Sequence, residues 1–341
     1  MLPAIFGFSG PELTPEERAF FRQVDPLGYI LFARNVVGRT QLKQLTASLR
    51  DISGRSDVPI LIDQEGGRVA RMGPPEWSTY PAAGKIAALF DRDPEATLAA
   101  MRHNYRALGL DLAEVGISVD CAPVLDVPAA GAHSVIGDRA LGTTPEQIGL
   151  LGGAVLEGLA DAGVVGVIKH IPGHGRAEAD SHQELPVVNV SREELARDLA
   201  PFQALAGAPM AMTAHIRYPC WDTDQCATLS ATIIRDVIRG QVGFDGLLMS
   251  DDLDMKALHG SVPELASEAL RAGCDVALNC WGDMAVMRGI AEQLPEADSQ
   301  ARRRLTRAMA GYRPLEGAAD IAERRAEALA LRDRLLAPLV V

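Results

Sequence analysis

Gly163-Val164-Val165-Gly166-Val167-Ile168 runs directly into Lys169-His170-Ile171-Pro172-Gly173-His174-Gly175. The first six residues form a short apolar run bounded by glycine, the pattern of a strand buried on both faces. The next seven are glycine- and proline-rich, and Asp180-Ser181-His182 follows shortly after. Residues 169–182 therefore carry three histidines, a lysine and two carboxylates, Asp180 among them, within fourteen positions. A buried strand that delivers this much titratable chemistry into a loop marks a reaction site.

Working outward, the same alternation recurs along the chain. Short apolar runs predict strands at 3–8, 29–32, 58–62, 117–125, 164–168, 209–213, 246–249 and 275–278. Helical stretches separate them, several with readable starts. Thr14-Pro15-Glu16-Glu17 is a capping box with Pro at the first helical position. A helix is expected around Gln41 to Leu49, and Asp93-Pro94-Glu95 opens one running towards Leu108. Thr144-Pro145-Glu146-Gln147 and Ser191-Arg192-Glu193-Glu194 cap two more. Ser230 precedes Ile233, Ile234, Val237 and Ile238, an apolar helical face, and a further helix follows Pro263.

Eight strands alternating with helices predict an α/β fold, a single-domain TIM-like (β/α)8 barrel. A doubly wound open sheet would give similar alternation, but the polar residues separate the two. Asp63, Asp126, Lys169-His170, His215, Asp251 and Asn279 each fall at or just past the C-terminal end of a predicted strand. A parallel barrel converges those ends on one mouth; an open sheet would spread them along an edge. No linker or composition shift divides the chain, so 1–341 is read as one domain with a helical C-terminal portion at 286–341.

Composition narrows the partners. The 341 residues include 33 basic and 45 acidic side chains, a net charge of −12 that disfavours nucleic acid and anionic membranes. Arg302-Arg303-Arg304 and Arg324-Arg325 read as solvated helix faces. The five cysteines have no CxxC spacing and fit neither a disulfide framework nor a zinc knuckle, so a reducing compartment suits them. Met1 to Gly7 lacks a basic lead-in and is not read as a signal peptide, and no apolar run approaches the ~20 residues of a membrane helix. A cytoplasmic monomer acting on a small-molecule substrate is expected.

The chemistry centres on carboxylates and imidazoles. Asp251 closes the run Leu247-Leu248-Met249-Ser250 and is followed by Asp252. One of two adjacent acids must point into the mouth, where a carboxylate suits attack at a sugar's anomeric carbon; the other can cap a helix. In Asp180-x-His182 the carboxylate could fix the imidazole tautomer, leaving the other ring nitrogen to deliver a proton; a surface contact would look the same in sequence. Asp63, Arg71, Arg139, Lys169 and His170, with Arg68, could bond a polyhydroxylated ring on its donor and acceptor sides. Ordinary inter-loop ion pairs are the alternative, equally so for Arg68. His174 could hold the loop. A His/carboxylate metal site, as in barrel amidohydrolases, is the chemical rival. It lacks the H-x-H at the end of the first strand, and Lys169 beside His170 would repel a cation.

Six motifs in order carry a resemblance. They are Ile62-Asp63-Gln64-Glu65-Gly66-Gly67-Arg68-Val69, Ala122-Pro123-Val124-Leu125-Asp126-Val127, Ile136-Gly137-Asp138-Arg139, the Lys169-to-Gly175 run, Asp180-Ser181-His182 and Ser250-Asp251-Asp252-Leu253. Together they resemble glycoside hydrolase family 3, in its bacterial β-N-acetylglucosaminidase branch, over the chain up to about residue 285. The resemblance implies a TIM-like barrel and a retaining two-step hydrolysis with no metal and no cofactor. It implies Asp251 as nucleophile, Asp180 and His182 as the acid/base dyad, and Asp63, Arg71, Arg139, Lys169 and His170 as N-acetylglucosamine-binding residues. It implies release of N-acetylglucosamine from 1,6-anhydro-N-acetylmuramyl peptides during cell-wall recycling. Ile171 stands where an aromatic is usual, and aromatics are only 5% of the chain, so few rings remain for stacking on the leaving group. A broader family 3 β-glucosidase and an inactive sugar-binding protein remain as alternatives.

Overall fold

The computed structural model describes every residue except 130, 132–133, 178–180, 182–183, 316–317 and 340–341, and the side chains of 318–319. Its eight strands are β1 (Leu2–Phe6), β2 (Pro26–Leu31), β3 (Ile60–Ile62), β4 (Val119–Asp120), β5 (Val165–Ile171), β6 (Met210–Thr213), β7 (Leu247–Asp252) and β8 (Val276–Asn279). All pair in parallel with their sequence neighbours, and β8 returns to β1, closing the barrel. The open-sheet alternative is excluded by that closure.

The helices are α1 (Pro15–Val24), α2 (Arg39–Ser53), α3 (Ala83–Ala87), α4 (Pro94–Glu114), α5 (Pro145–Asp161), α6 (Arg192–Ala204), α7 (Val262–Ala272), α8 (Met284–Gln293), α9 (Ser299–Met309) and α10 (Ala318–Leu336). Their starts follow the local sequence. Thr14 and Ser191 form full capping boxes with Glu17 and Glu194, and the Asp93 and Thr144 side chains accept from Ala96 N and Gln147 N. Ser230 Oγ accepts from Ile233 N, and Ile233–Gln241 winds as a π-helix with its four isoleucine and valine side chains buried. No described helix is long and apolar enough to cross a membrane.

Alternation along the strands divides the core in two. Ile5, Ile30, Leu61, Val165, Val167, Met210, Met212, Leu247, Met249, Val276 and Leu278 cluster together inside the barrel. Their strand neighbours Phe6, Tyr29, Ile62, Ile168, Ala211, Leu248 and Ala277 pack outward with the helices. Leu305, Ala308 and Met309 of α9 join the interior set. This parity matters for the mouth. Asp63, Lys169 and Asp251 each lie two residues beyond an interior position, so the pleat points them into the barrel's upper end.

Strand boundaries differ from the sequence reading at the mouth. β5 continues through Ile171, because Lys169 N donates to Pro123 O and Leu125 N donates to Lys169 O. Lys169 and His170 therefore stand on a strand, not in a loop. β7 likewise runs through Asp252. β4 is shorter than the expected 117–125, since Pro123 has no N–H to give the ladder, although the chain keeps its course beside β5 through Val124.

Candidate active site

A ladder of ion pairs lines the upper barrel. The Lys169 ammonium, only 2% exposed, lies 2.9 Å from Asp63 Oδ1 and 2.7 Å from Glu65 Oε1. Glu65 also receives Arg139 in a two-pronged pair, Nε to Oε2 and Nη2 to Oε1, both 2.8 Å. Arg71 Nη2 stands 3.5 Å from Asp63 Oδ2, and its guanidinium lies over the Phe32 ring. Burial opposes charge on all these groups, yet their mutual fields prevail. Lys169 and Arg139 are held above their usual pKa values, Asp63 below, and Glu65 down at about 2. Two carboxylates thus face three cations, leaving an excess of positive charge beside the position of Asp251.

Asp251 is partly buried. Its Oδ1 accepts from Asp252 N at 2.8 Å. Burial would raise its pKa, but His215, His170, the Asp252 N–H and Lys169 together lower it, so the carboxylate is ionised at neutral pH. Its neighbour behaves oppositely. Asp252 is pushed up to about 6 by burial and by Asp251, while its Oδ1 accepts from Cys280 N and Asp254 N. The two adjacent acids divide, though not by helix capping: Asp252 bonds the loop amides of Asp254 and Cys280, while the next helix is capped by Ser261, and Asp251 stays charged within the field of the histidines and Lys169.

Two histidines are organised by one buried acid. Asp126 is fully buried, and its pKa is held at about 2: burial raises it, but His170 and His174 overcome the penalty. Its Oδ1 accepts from His170 N and His174 N, at 3.2 and 2.6 Å, and its Oδ2 lies 2.7 Å from His170 Nδ1. An ionised carboxylate only accepts, so Nδ1 carries the proton and Nε2 is turned away from Asp126. His174 packs edge-on to His170 and its Nε2 lies 3.1 Å from Ser181 Oγ. It holds the loop, with its pKa depressed to about 4 by burial and the neighbouring His170. His215 is placed between Thr228 Oγ1, 2.7 Å from Nδ1, and Asp252 O, 3.0 Å from Nε2.

Asp63, Arg71, Arg139 and Lys169 are thus joined in one ion-pair network through Glu65, His170 is held separately by Asp126, and Asp251 lies within the electrostatic reach of His170 and Lys169. Asp180 and His182 lie outside the described residues; Ser181 between them is buried. Arg68 pairs with Asp138 at 3.1 Å and donates to the carbonyls of Ser134, Val135 and Ile136, which makes it a tie between loops. Among the described residues no group of three or more His, Cys, Asp or Glu side chains could hold a metal ion.

The model of the glycosyl hydrolase family 3 N-terminal domain matches residues 14–309. A β-hexosaminidase of Alkalilimnicola ehrlichii is 39% identical over 310 residues, covering 89% of this chain and 88% of its own. One from Pseudomonas aeruginosa is 40% identical over 275 residues, covering 80% of each. The structure of native NagZ from Neisseria gonorrhoeae superposes with a TM-score of 0.86 at 32% identity, covering 98% of this chain and 97% of that one. The chain belongs to glycosyl hydrolase family 3. It is a glycoside hydrolase of the β-hexosaminidase kind, on a closed eight-stranded barrel.

In this family 3 hydrolase two further acids, Glu65 and Asp126, organise the site. Glu65 ties Arg139 to Lys169, a role that its place in the Ile62-to-Val69 motif does not disclose. A signal was available: Asp63 and Glu65 are i and i+2 at a strand end and can share a face. Asp126 reads in the sequence as a strand-end acid with no assigned role. Nothing local announces its partners, since His170 lies 44 positions away.

Proposed function

We propose that this hydrolase is a retaining exo-β-N-acetylglucosaminidase that removes the non-reducing N-acetylglucosamine from 1,6-anhydro-N-acetylmuramyl peptides, in the cytoplasm, during cell-wall recycling. The observation that carries the reading is the ionised Asp251 carboxylate within the field of His170, His215 and Lys169. A family relative lends support to the sugar: NagZ from Neisseria gonorrhoeae, 32% identical with a TM-score of 0.85, has been solved in complex with N-trifluoroacetyl-D-glucosamine.

In the first step Asp251 attacks the anomeric carbon, the glycosidic bond breaks, and a glycosyl-enzyme forms as positive charge develops on the ring. His182, oriented by Asp180, gives the departing oxygen its proton. In the second step it takes a proton from water, which attacks the same carbon and frees Asp251. Asp63, bonded to Lys169, accepts from sugar hydroxyls; Arg71, Arg139 and Lys169 donate to them. His170 Nε2, opposite the nitrogen fixed by Asp126, can accept a hydroxyl proton. No metal and no cofactor enters these steps.

Hydrolysis of an aryl N-acetyl-β-glucosaminide and of the matched aryl β-glucoside tests the sugar class. The N-acetyl substrate is expected to win by at least tenfold in kcat/KM; equal rates favour a broad family 3 β-glucosidase, and no turnover of either favours a sugar-binding protein. His182→Ala is expected to lose least on the most acidic leaving groups. An equal loss across leaving groups removes His182 from the acid role.

A further inference from the structure

Trp281 is 62% exposed, and it is the one exposed aromatic side chain among the described residues. It stands two positions past the end of β8, on the mouth side of the barrel. The chain presents it there by a tight fit. Gly282 has φ +76°, and a Cβ on it would lie 2.6 Å from the Phe8 backbone, so the turn after the indole needs glycine. Just before it, Cys280 N donates to Asp252 Oδ1, fastening the turn to the residue that follows Asp251.

A cation stands beside the ring. The Arg34 guanidinium lies 5.9 Å from the Trp281 ring centre and 4.9 Å from that of Phe32, and Arg71 stacks over Phe32 at 5.6 Å. Trp281, Arg34, Phe32 and Arg71 therefore form a row from the rim towards Asp63 in the sugar cradle. Arg34 is held by carbonyls, donating to Phe8 O and Cys280 O, and among the described residues it has no carboxylate ion pair. The nearby carboxylates are committed elsewhere: Glu17 caps α1, and Asp252 accepts backbone amides. An exposed indole costs free energy in water unless something covers it, and a fixed guanidinium without a carboxylate partner favours an anion.

We propose that Trp281 and Arg34 form the leaving-group side of the site: the indole takes the apolar face of the second sugar, and Arg34 draws a carboxylate that this sugar carries. The ligand class is a pyranoside bearing an acidic substituent, linked to the N-acetylglucosamine being removed. This rests on the substrate reading above and adds the residues that select the departing half.

The test compares wild type, Trp281→Ala and Trp281→Tyr. The substrates are N,N'-diacetylchitobiose, whose second sugar is neutral, and N-acetylglucosaminyl-β-1,4-anhydro-N-acetylmuramic acid, whose second sugar is acidic. Inhibition by free N-acetylglucosamine reports the sugar pocket alone. Trp281→Ala is expected to lower kcat/KM on both disaccharides by roughly tenfold, Trp281→Tyr to recover most of it, and the inhibition constant to stay within twofold. Wild type is expected to favour the acidic disaccharide, by a ratio that shrinks as salt rises. Unchanged disaccharide kinetics in the Ala variant, or an equal loss of N-acetylglucosamine inhibition, would overturn the platform. A preference indifferent to salt would overturn the role of Arg34. Wild type inert towards every N-acetylglucosaminide would overturn the substrate reading itself, and the platform with it.

Discussion

His170 Nδ1 lies 2.7 Å from Asp126 Oδ2, and that carboxylate is fully buried. The same acid gathers the backbone N–H groups of His170 and His174 on its other oxygen. One charge thus sets the side-chain tautomer of a mouth residue and the course of the chain leaving β5.

Asp126→Asn keeps the shape and removes the charge. Its Oδ1 can still accept the two amides, but an NH₂ group now faces His170 Nδ1, so the imidazole must move its proton to Nε2 or lose the bond. Activity on an aryl N-acetylglucosaminide is expected to fall at least tenfold, with stability lower by about 2 kcal/mol. Imidazole nitrogen shifts in an NMR spectrum check the tautomer. A variant with the native tautomer and full activity would remove Asp126 from this role.

Glu65 is the joint between Arg139 and Lys169. Glu65→Gln leaves Lys169 on Asp63 alone and takes from Arg139 its two-pronged carboxylate, and is expected to shift both by a fraction of an ångström or more. A displacement of that order costs up to about 100-fold in kcat/KM. Breaking a buried pair also costs about 3 kcal/mol of stability or more. Glu65→Asp, with a shorter arm, is not expected to restore the rate although it restores the charge. Kinetics of both variants beside their melting curves separate misplacement from unfolding, and wild-type rates in Glu65→Gln would contradict the clamp.

His174 supplies a pH signature. Its pKa is lowered in the fold to about 4, from 6.5 for a free imidazole. The unfolded chain therefore binds the proton more readily between these values, and folding stability falls as pH drops from about 6.5 to about 4. The loss attributable to this group is of order 3 kcal/mol. In His174→Gln that part of the slope is expected to vanish, read as Tm against pH for the two proteins. Parallel curves would show that His174 does not titrate this way.

The legible part of this molecule was the part written locally. Capping residues such as Thr14 and Ser191 announced their helices, and apolar runs announced the strands. Polar residues at strand ends point to a closed barrel over an open sheet: the order β3-β4-β5 brings Asp63 to Lys169 across 106 positions, and closure of β8 onto β1 brings Cys280 to Arg34 across 246. The illegible part depends on that closure. Glu65 looks like any motif acid until Arg139, 74 positions on, is folded against it. Arg68 had equal claims to ligand and loop tie until its carbonyl partners were placed. The strand ends at Ile171 and Asp252 are not legible in the sequence, because polar residues there resemble loop, while the ladder bonds that keep them in the sheet come from distant segments. Asp180 and His182 stand on sequence alone.

The central claim is that Asp251 forms the covalent bond, and a slow-turnover fluorinated N-acetylglucosaminide followed by peptide mapping tests it most directly. One sugar equivalent is expected on the peptide containing Ser250-Asp251-Asp252, with fragmentation placing it on Asp251, and Asp251→Ala is expected to remain folded and unlabelled. An adduct on Asp252 or any other residue, or undiminished turnover by Asp251→Ala, would contradict it.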